Sequence, residues 1–300
     1  MGTPQFAVPT LEKLHQVYGV SAVVTVPDRP KGRGRKLSGS PVKVKALELG
    51  IPVLQPESLK DKVFIEELKE YNADIFCVLA FRILPEEVFS LPNIASFNIH
   101  GSLLPKYRGA APINRAIMNG DTKTGLTSFI LQKKVDTGNI LLKKEINLPN
   151  SWTAGNLHDN LMPMAADLSI ETCNLLLSGN YNPLLQDESK ASPAPKIYRD
   201  DCKIDWNGSQ KDVYNHIRGL SPFPSAWTIL NNKEIKIHFA DFSDTEKIKA
   251  GDYSIENDKF IAGTLDGNLE IILLKPEGKK VINAEDFLRG FRGEKTGNFK

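Results

Sequence analysis

The sequence predicts an α/β protein with a mostly parallel sheet covered by helices on both faces, followed by a small C-terminal β-barrel domain. In the first 150 residues, apolar runs of strand length alternate with segments of helical periodicity. After residue 200, short strands and tight turns take over. A chain of 300 residues, 41% hydrophobic and 25% charged, is also long enough for two separate cores.

The first domain is expected to be Rossmann-like, because strands that alternate with helices form parallel sheets. Its apolar runs predict strands at 20–26, 51–54, 75–80, 94–100, 127–131 and 140–148. Helical periods predict helices at 6–17, 41–49, 63–71, 84–91 and 111–118, and a long one from 153 to about 178 that is interrupted at Met162-Pro163.

The chain opens on a turn and not on a strand. Pro4 suits the first position of a helix, but no strand precedes Gly2 as a βαβ unit requires. We therefore expect that residues forming an inner strand of the sheet are missing ahead of Met1.

The second half of the chain predicts a linker and an OB-like barrel. Residues 183–195 are polar, contain prolines and show no periodicity, which is typical of a linker. We place the first domain at 1–182, the linker at 183–200 and the C-terminal domain at 201–300. Its strands are expected at 227–230, 235–239, 260–265 and 269–274, and Asn283 is expected to cap a helix that runs through Arg292.

Bulk properties exclude several classes of protein. A net charge of +2 gives no global attraction to nucleic acid or to an anionic membrane. Three widely spaced cysteines without a C-x-x-C pair indicate reduced thiols, and no apolar run approaches the ~18 residues of a membrane span. The histidines show no ligand spacing with cysteines or carboxylates. We expect a cytoplasmic protein with no membrane segment and no metal.

Asn98, His100 and Asp136 are the candidate catalytic residues. Asn98 and His100 alternate with apolar residues, so in a strand both project from one face at its carboxyl end, where open α/β sheets bind ligands. An asparagine can stabilise an oxyanion, a histidine can take a proton from an attacking amine, and an aspartate can stabilise the resulting imidazolium. Each residue alone is more often a turn former or a satisfied polar group, and Asp136-Thr137-Gly138 alone is most often a turn.

The combination of motifs is more specific than its parts. Asn98-Ile99-His100-Gly101-Ser102-Leu103-Leu104-Pro105 together with Asp136-Thr137-Gly138 resembles the signature of the formyltransferases that use 10-formyltetrahydrofolate. Further segments resemble the members that formylate initiator methionyl-tRNA for translation initiation, and these segments lie between residue 2 and about residue 290. They are residues 2–9, 27–30, 107–113 and 217–227.

The resemblance implies roles for individual residues. Asn98, His100 and Asp136 would be the catalytic residues, and no metal would be needed. The co-substrate 10-formyltetrahydrofolate would be bound by two groups of residues, namely Phe81, Arg82, Ile83 and Leu84, and Ser102, Leu103, Leu104 and Pro105. Many members carry glycine where this chain has Arg82, which leaves the detailed shape of the pterin pocket open.

A basic segment is the candidate tRNA contact. Glycine-interleaved arginines suit phosphate binding, because guanidinium groups bind phosphate oxygens two at a time. In isolation a solvated loop is the better interpretation, but the resemblance implies a loop that approaches the tRNA acceptor end. Its residues are Arg29, Lys31, Arg33, Arg35 and Lys36. The C-terminal domain would bind tRNA as well, and we expect a monomer.

Three other functions compete with this hypothesis. Formylation of a small acceptor, such as glycinamide ribonucleotide or an amino sugar nucleotide, would leave the basic segment and the added β domain unexplained. A non-catalytic RNA-binding protein would not require Asn98, His100 and Asp136 together. Hydrolysis of the folate, with water as acceptor, fits the three residues but again leaves the basic segment without a role.

Overall fold

The computed structural model describes residues 1–31 and 36–300. Its α-helices are α1 (Val8–Tyr18), α2 (Pro41–Glu48), α3 (Lys62–Glu70), α4 (Glu86–Phe89), α5 (Pro112–Met118), α6 (Ala154–Leu177), α7 (Gln210–Leu220) and α8 (Ala284–Arg289). Its strands are β1 (Val23–Val24), β2 (Arg29–Lys31), β3 (Lys36–Ser38), β4 (Val53–Leu54), β5 (Ile75–Val78), β6 (Ala95–His100), β7 (Arg108–Gly109), β8 (Lys123–Ile130), β9 (Ile140–Asn147), β10 (Pro193–Ala194), β11 (Ala226–Leu230), β12 (Lys233–Ser243), β13 (Asp252–Glu256), β14 (Lys259–Gly263), β15 (Asn268–Pro276), β16 (Ile282–Asn283) and β17 (Thr296–Asn298).

The chain divides into two compact units. The first contains Met1–Pro112, Thr124–Ile146 and His158–Ala194, and the second contains Ile113–Lys123, Asn147–Leu157 and Pro195–Lys300. The predicted fold class is confirmed, with an α/β part followed by a curled antiparallel sheet of OB-like type. The domain boundaries at 182 and 200 stay a prediction.

The sheet of the first unit is mostly built as the periodicity predicts. β1 pairs in parallel with β4, β5 pairs in parallel with β6, and β6 continues through β8 to β9. The pairing of β6 with β8 is antiparallel. A buried cluster that includes Val24, Leu54, Phe64, Phe76 and Val88 packs this sheet against its helices.

The sheet has an open position between β1 and β5. Gly2 lies between these strands, because its N–H donates to the Val24 carbonyl at 3.1 Å and it pairs in parallel with Leu79. Beyond Met1 a cavity of about 450 Å³ occupies the same position, with Val23, Phe76 and other apolar side chains in its wall. We call this cavity the strand slot.

One ammonium group and two thiols in the wall of the strand slot are poorly solvated. The Met1 ammonium donates to the Cys77 carbonyl at 2.7 Å, and burial lowers the pKa of that ammonium. Cys77 and Cys173 also line the slot. Burial raises the pKa of Cys77 to about 11 and that of Cys173 to about 12, so both stay as thiols at neutral pH.

Two helical features differ from prediction. α6 runs without a break from Ala154 to Leu177, although an interruption was expected at Pro163. Pro163 lies on the exposed face of α6, so the helix loses one backbone hydrogen bond and continues. α8 ends at Arg289 and not at Arg292, because Gly290 follows as its C-cap, and the side chain of Asn283 forms no capping hydrogen bond.

The second unit is a seven-stranded sheet with its own core. The order is β11-β12-β15-β14-β13-β17, with β16 on β15, and the paired strands are antiparallel. α7 was not predicted. Ser209 caps it by accepting from the Asp212 N–H, and Val213, Ile217 and Leu220 face the core at helical spacing.

Candidate active site

Asn98 and His100 lie on the same face of β6, at its carboxyl end. Side chains two residues apart on a strand share a face, and Ile99 between them is buried. Because β5 and β6 run in parallel, the loops that follow them meet at this edge of the sheet. Within the described chain, no group forms a hydrogen bond to the Asn98 amide, so its N–H can reach a ligand oxygen.

The imidazole of His100 has a defined tautomer. Its Nε2 lies 2.7 Å from the Tyr107 carbonyl oxygen, and a carbonyl can only accept, so Nε2 carries the hydrogen. The neutral ring therefore has its lone pair on Nδ1, which lies 3.7 Å from Asp136 Oδ2. That distance is too long for a hydrogen bond, and the two side chains interact through charge once the ring is protonated.

Asp136 extends from the loop between β8 and β9. Its Oδ2 accepts a 2.8 Å hydrogen bond from the Gly109 N–H, and its side chain is only 12% exposed. Asp136 has a φ of 55°, in the left-handed region that aspartate tolerates. At Gly138 an added Cβ would lie 1.6 Å from the Ile130 carbonyl oxygen. The Asp-Thr-Gly sequence therefore fits this loop at both ends.

The turn after β6 is fixed by buried hydroxyl groups. Thr127 Oγ1 donates to the Ser102 carbonyl at 2.7 Å and accepts from the Leu104 N–H at 3.0 Å. Ser102 and Leu104 are fully buried, whereas Leu103 and Pro105 are only half-buried. Of the four predicted folate residues in this turn, Ser102 and Leu104 hold its conformation, whereas Leu103 and Pro105 have exposed surface that a ligand can contact.

The loop after β5 contains the other predicted folate residues. Arg82 donates to the carbonyls of Pro56 and Glu57 at 2.9 and 3.0 Å, and its guanidinium lies over the Phe81 ring at 5.4 Å. Ile83 is exposed and Leu84 is buried. The Arg82 side chain therefore ties this loop to residues 56–57. Leu131 packs against both the cluster that contains Phe81 and the cluster that contains Leu104.

Sequence reasoning missed the residues that hold the imidazole and the carboxylate in place. Tyr107 accepts from His100, Gly109 donates to Asp136, and Gln186 bonds the backbone of the Asp136 loop. Gln186 lies in the segment predicted as a linker, whose lack of periodicity gave no signal. In the described ranges, no three His, Cys, Asp or Glu side chains are grouped so that they could hold a metal ion.

Two protein-family models match this chain. The model described as "Formyl transferase" matches residues 1–172, which is more than half of the chain. The chain belongs to the formyl transferase family. A second model, "Formyl transferase, C-terminal domain", matches residues 196–292. The resemblance noted in the sequence motifs is confirmed.

Individual formyl transferases are similar over nearly the whole chain. The methionyl-tRNA formyltransferase of Bacteroides thetaiotaomicron is 42% identical over 304 residues, covering 97% of this chain and 94% of that protein. The methionyl-tRNA formyltransferase of Clostridium acetobutylicum is 45% identical over 294 residues, covering 97% and 95%. A crystal structure of WlaRD, a sugar 3N-formyl transferase in the presence of dTDP and 5-N-formyl-THF, matches with a TM-score of 0.67. It covers 93% of this chain and 97% of that chain at 23% identity, so the likeness shows the fold alone.

The basic segment of this formyl transferase is only partly described. β2 and β3 form an antiparallel pair in which Arg29 lies opposite Ser38, and Arg29 is exposed. Lys31 and Lys36 pair through their backbones, while Arg33 and Arg35 lie outside the described residues. Asp28, the acid of this segment, accepts from Lys43 at 2.6 Å and from Gln55 at 2.8 Å. The Lys43 hydrogen bond is the main cause of the lowered pKa of Asp28.

No described helix is both long enough and apolar enough to cross a membrane.

Proposed function

We propose that this formyl transferase moves the formyl group of 10-formyltetrahydrofolate onto the α-amino group of initiator methionyl-tRNA. The observation that carries the proposal is the position of His100 Nδ1 opposite Asp136 Oδ2, beside Asn98 at the carboxyl end of β6. The acceptor is suggested by the methionyl-tRNA formyltransferases that are 42% and 45% identical over 97% of the chain.

Asn98, His100 and Asp136 each have one role in the proposed reaction. The amine nitrogen attacks the formyl carbon, and the Asn98 amide donates to the oxygen that becomes negative, which contributes about 3 kcal/mol to transition-state stability. His100 accepts the amine proton at Nδ1, since Nε2 already carries a hydrogen directed at Tyr107. Asp136 stabilises the imidazolium. The bond from the formyl carbon to N10 then breaks, and N10 takes a proton as the folate leaves.

The folate is proposed to bind between the loops that follow β5 and β6. Phe81, Ile83 and the backbone of residues 81–84 would form one wall, while Leu103 and Pro105 would form the other. The support is that these two loops leave neighbouring parallel strands at the same edge as His100. Leu131 lies against both loop clusters.

The tRNA is proposed to contact the basic segment and the C-terminal domain. Arg29 is exposed, and because Asp28 is paired with Lys43, that carboxylate does not compete for the cations of the segment. Arg33 and Arg35, with the lysines at 31 and 36, would add phosphate contacts. Each phosphate contact releases counterions, so tRNA affinity should fall with salt.

An acceptor assay tests the proposal. Purified protein and 10-formyltetrahydrofolate are offered charged initiator methionyl-tRNA, glycinamide ribonucleotide, a dTDP amino sugar, or no acceptor. We expect formylation of the tRNA alone, with a KM for tRNA that rises with salt while the KM for folate stays constant. Formylation of a small acceptor at a comparable rate, or folate hydrolysis without acceptor, would refute the assignment of tRNA.

A further inference from the structure

The side chain of Gln186 uses its complete hydrogen-bonding capacity within the first unit. Its Nε2 donates to the carbonyls of Asp136 and Gly138 at 2.9 and 2.8 Å. Its Oε1 accepts from Arg108 Nε and from a terminal guanidinium nitrogen of Arg108, at 3.1 and 2.7 Å. The amide orientation is unambiguous, because carbonyl oxygens only accept and a guanidinium only donates.

The guanidinium of Arg108 is also bound on the edge that carries its two terminal nitrogens. Glu188 accepts from both terminal nitrogens of Arg108, at 2.9 and 2.7 Å, and this contact is the main cause of the lowered pKa of Glu188. The backbone is fixed as well, since the Arg108 N–H donates to the Ser192 carbonyl at 2.8 Å. β7 and β10 pair in parallel beside this contact. The segment around Gln186 is therefore held on the strand that begins at Arg108.

This strand and the residue directly before it contact both members of the proposed proton-transfer pair. The Gly109 N–H donates to the Asp136 carboxylate, and the Tyr107 carbonyl accepts from His100. Together with Gln186 this closes a ring of hydrogen bonds that runs from Arg108 through Gln186, Asp136 and Gly109. The ring holds Asp136 at both its backbone and its side chain.

The Asp136 loop needs this external support. It has no regular secondary structure, and Asp136 has a φ of 55°, a left-handed conformation that aspartate tolerates but that contacts with the surroundings help to hold. If the backbone relaxed to a negative φ, the carboxylate would turn away from His100. The two hydrogen bonds from Gln186 hold the carbonyls of Asp136 and of Gly138, so they fix the backbone that directly follows the Asp136 Cα.

We propose that Gln186 is a positioning residue for formyl transfer, which holds the Asp136 loop so that the carboxylate faces His100 Nδ1. This inference rests on the proposed function. Gln186 does not act on the reacting atoms itself. It acts through Asp136, and the proposal therefore predicts that its effect disappears when the Asp136 carboxylate is removed.

A double-mutant cycle tests the inference. Gln186→Leu keeps the size of the side chain and removes its four hydrogen bonds, while Gln186→Glu keeps the acceptor for Arg108 but replaces the donors to the two carbonyls. We expect each variant to lower kcat about 10- to 100-fold, with KM for folate and tRNA within about twofold of the wild-type values. In the Asp136→Asn background, either substitution should lower kcat by less than about twofold.

The controls separate this inference from the proposed function. Gln16→Leu, on the exposed face of α1, is the matched control and should keep wild-type kcat. Full additivity with Asp136→Asn, a rise in both KM values, or wild-type kcat in Gln186→Leu would overturn the positioning role alone. If the wild-type protein and Gln16→Leu both fail to formylate methionyl-tRNA, the proposed function fails and this inference fails with it.

Discussion

The two sides of the sheet in the first unit are completed in different ways. On the side of β5, β6, β8 and β9 the strands are continuous, and the loops that leave them are joined by the hydrogen bonds around Asp136 and Gln186. On the side of β1 and β4 the sheet is interrupted by the strand slot, where an ammonium group and two thiols lie among apolar side chains. We therefore expect the chemistry and the stability of this unit to depend on different regions.

Substitution of Asn98 probes the continuous side and should have a large effect on catalysis. Asn98→Ala removes the proposed oxyanion donor, so kcat for formyl transfer should fall about 10²- to 10³-fold. The melting temperature should stay within about 2 °C of the wild-type value, because the amide has no partner among the described residues to lose. A loss of melting temperature that accounts for the lower activity would contradict the separation of chemistry from stability. Steady-state kinetics and thermal unfolding on one preparation check both parts.

Filling the strand slot probes the interrupted side. A four-residue strand of alternating valine and isoleucine joined ahead of Met1 spans about 13 Å at the rise of a strand. Burying its side chains, less the entropy of ordering them, should raise the free energy of unfolding by about 2–4 kcal/mol. Four Gly-Ser residues at the same place are the matched control and should give no gain.

Filling the slot should leave catalysis nearly unchanged, if stability and chemistry depend on different regions. We expect kcat of the apolar extension within about twofold of the parent, since none of the residues around His100 and Asp136 lines the slot. Equal stability of the apolar and Gly-Ser extensions, measured by urea unfolding, would show that the slot does not accept a strand.

The slot should also have a smaller effect, on how the free energy of unfolding depends on pH. Burial lowers the pKa of the Met1 ammonium, so near neutral pH the unfolded chain binds more protons than the folded chain. The free energy of unfolding should therefore rise with pH and level off above the ordinary amine pKa of 8.0, by at most about 1.4 kcal/mol per pH unit. Either extension moves the amine out of the slot and should abolish this slope. A slope that persists in both extensions would assign it to other groups. The measurement needs protein whose intact mass includes Met1.

The sequence predicts most of the regular elements of the first unit, because their apolar spacing is local, whereas in the second unit α7, β13, β16 and β17 were not predicted. The strand that carries Asn98 and His100 is recognisable from Phe97 and Ile99 alone, and this spacing also places both polar side chains on one face. α7 could have been found in the same way, since Ser209 and the apolar residues at 213, 217 and 220 are a local signal. Pro163 misled the prediction because its effect depends on which face of α6 is exposed, which the local sequence does not state.

The supports of the site could not be predicted, because they depend on contacts between distant parts of the chain. Gln186 is 50 residues from Asp136 and 78 residues from Arg108. Neither its own type nor its polar surroundings distinguish it from a solvated linker residue. Arg82 is similar, since its contacts with Pro56 and Glu57 arise only when two loops meet. Motif resemblance predicts the reacting groups, and only the fold shows which contacts orient them.

The most direct test of the proposed chemistry is the rate of formyl transfer by His100→Ala to charged initiator methionyl-tRNA, measured under single-turnover conditions with saturating 10-formyltetrahydrofolate. We expect a rate lowered about 10²- to 10⁴-fold, because the amine proton would lose its acceptor, with folate affinity close to that of the parent. The fold should be retained, although the Tyr107 carbonyl loses its hydrogen-bond donor. A single-turnover rate equal to that of the wild-type protein would contradict the assignment of His100 as the base.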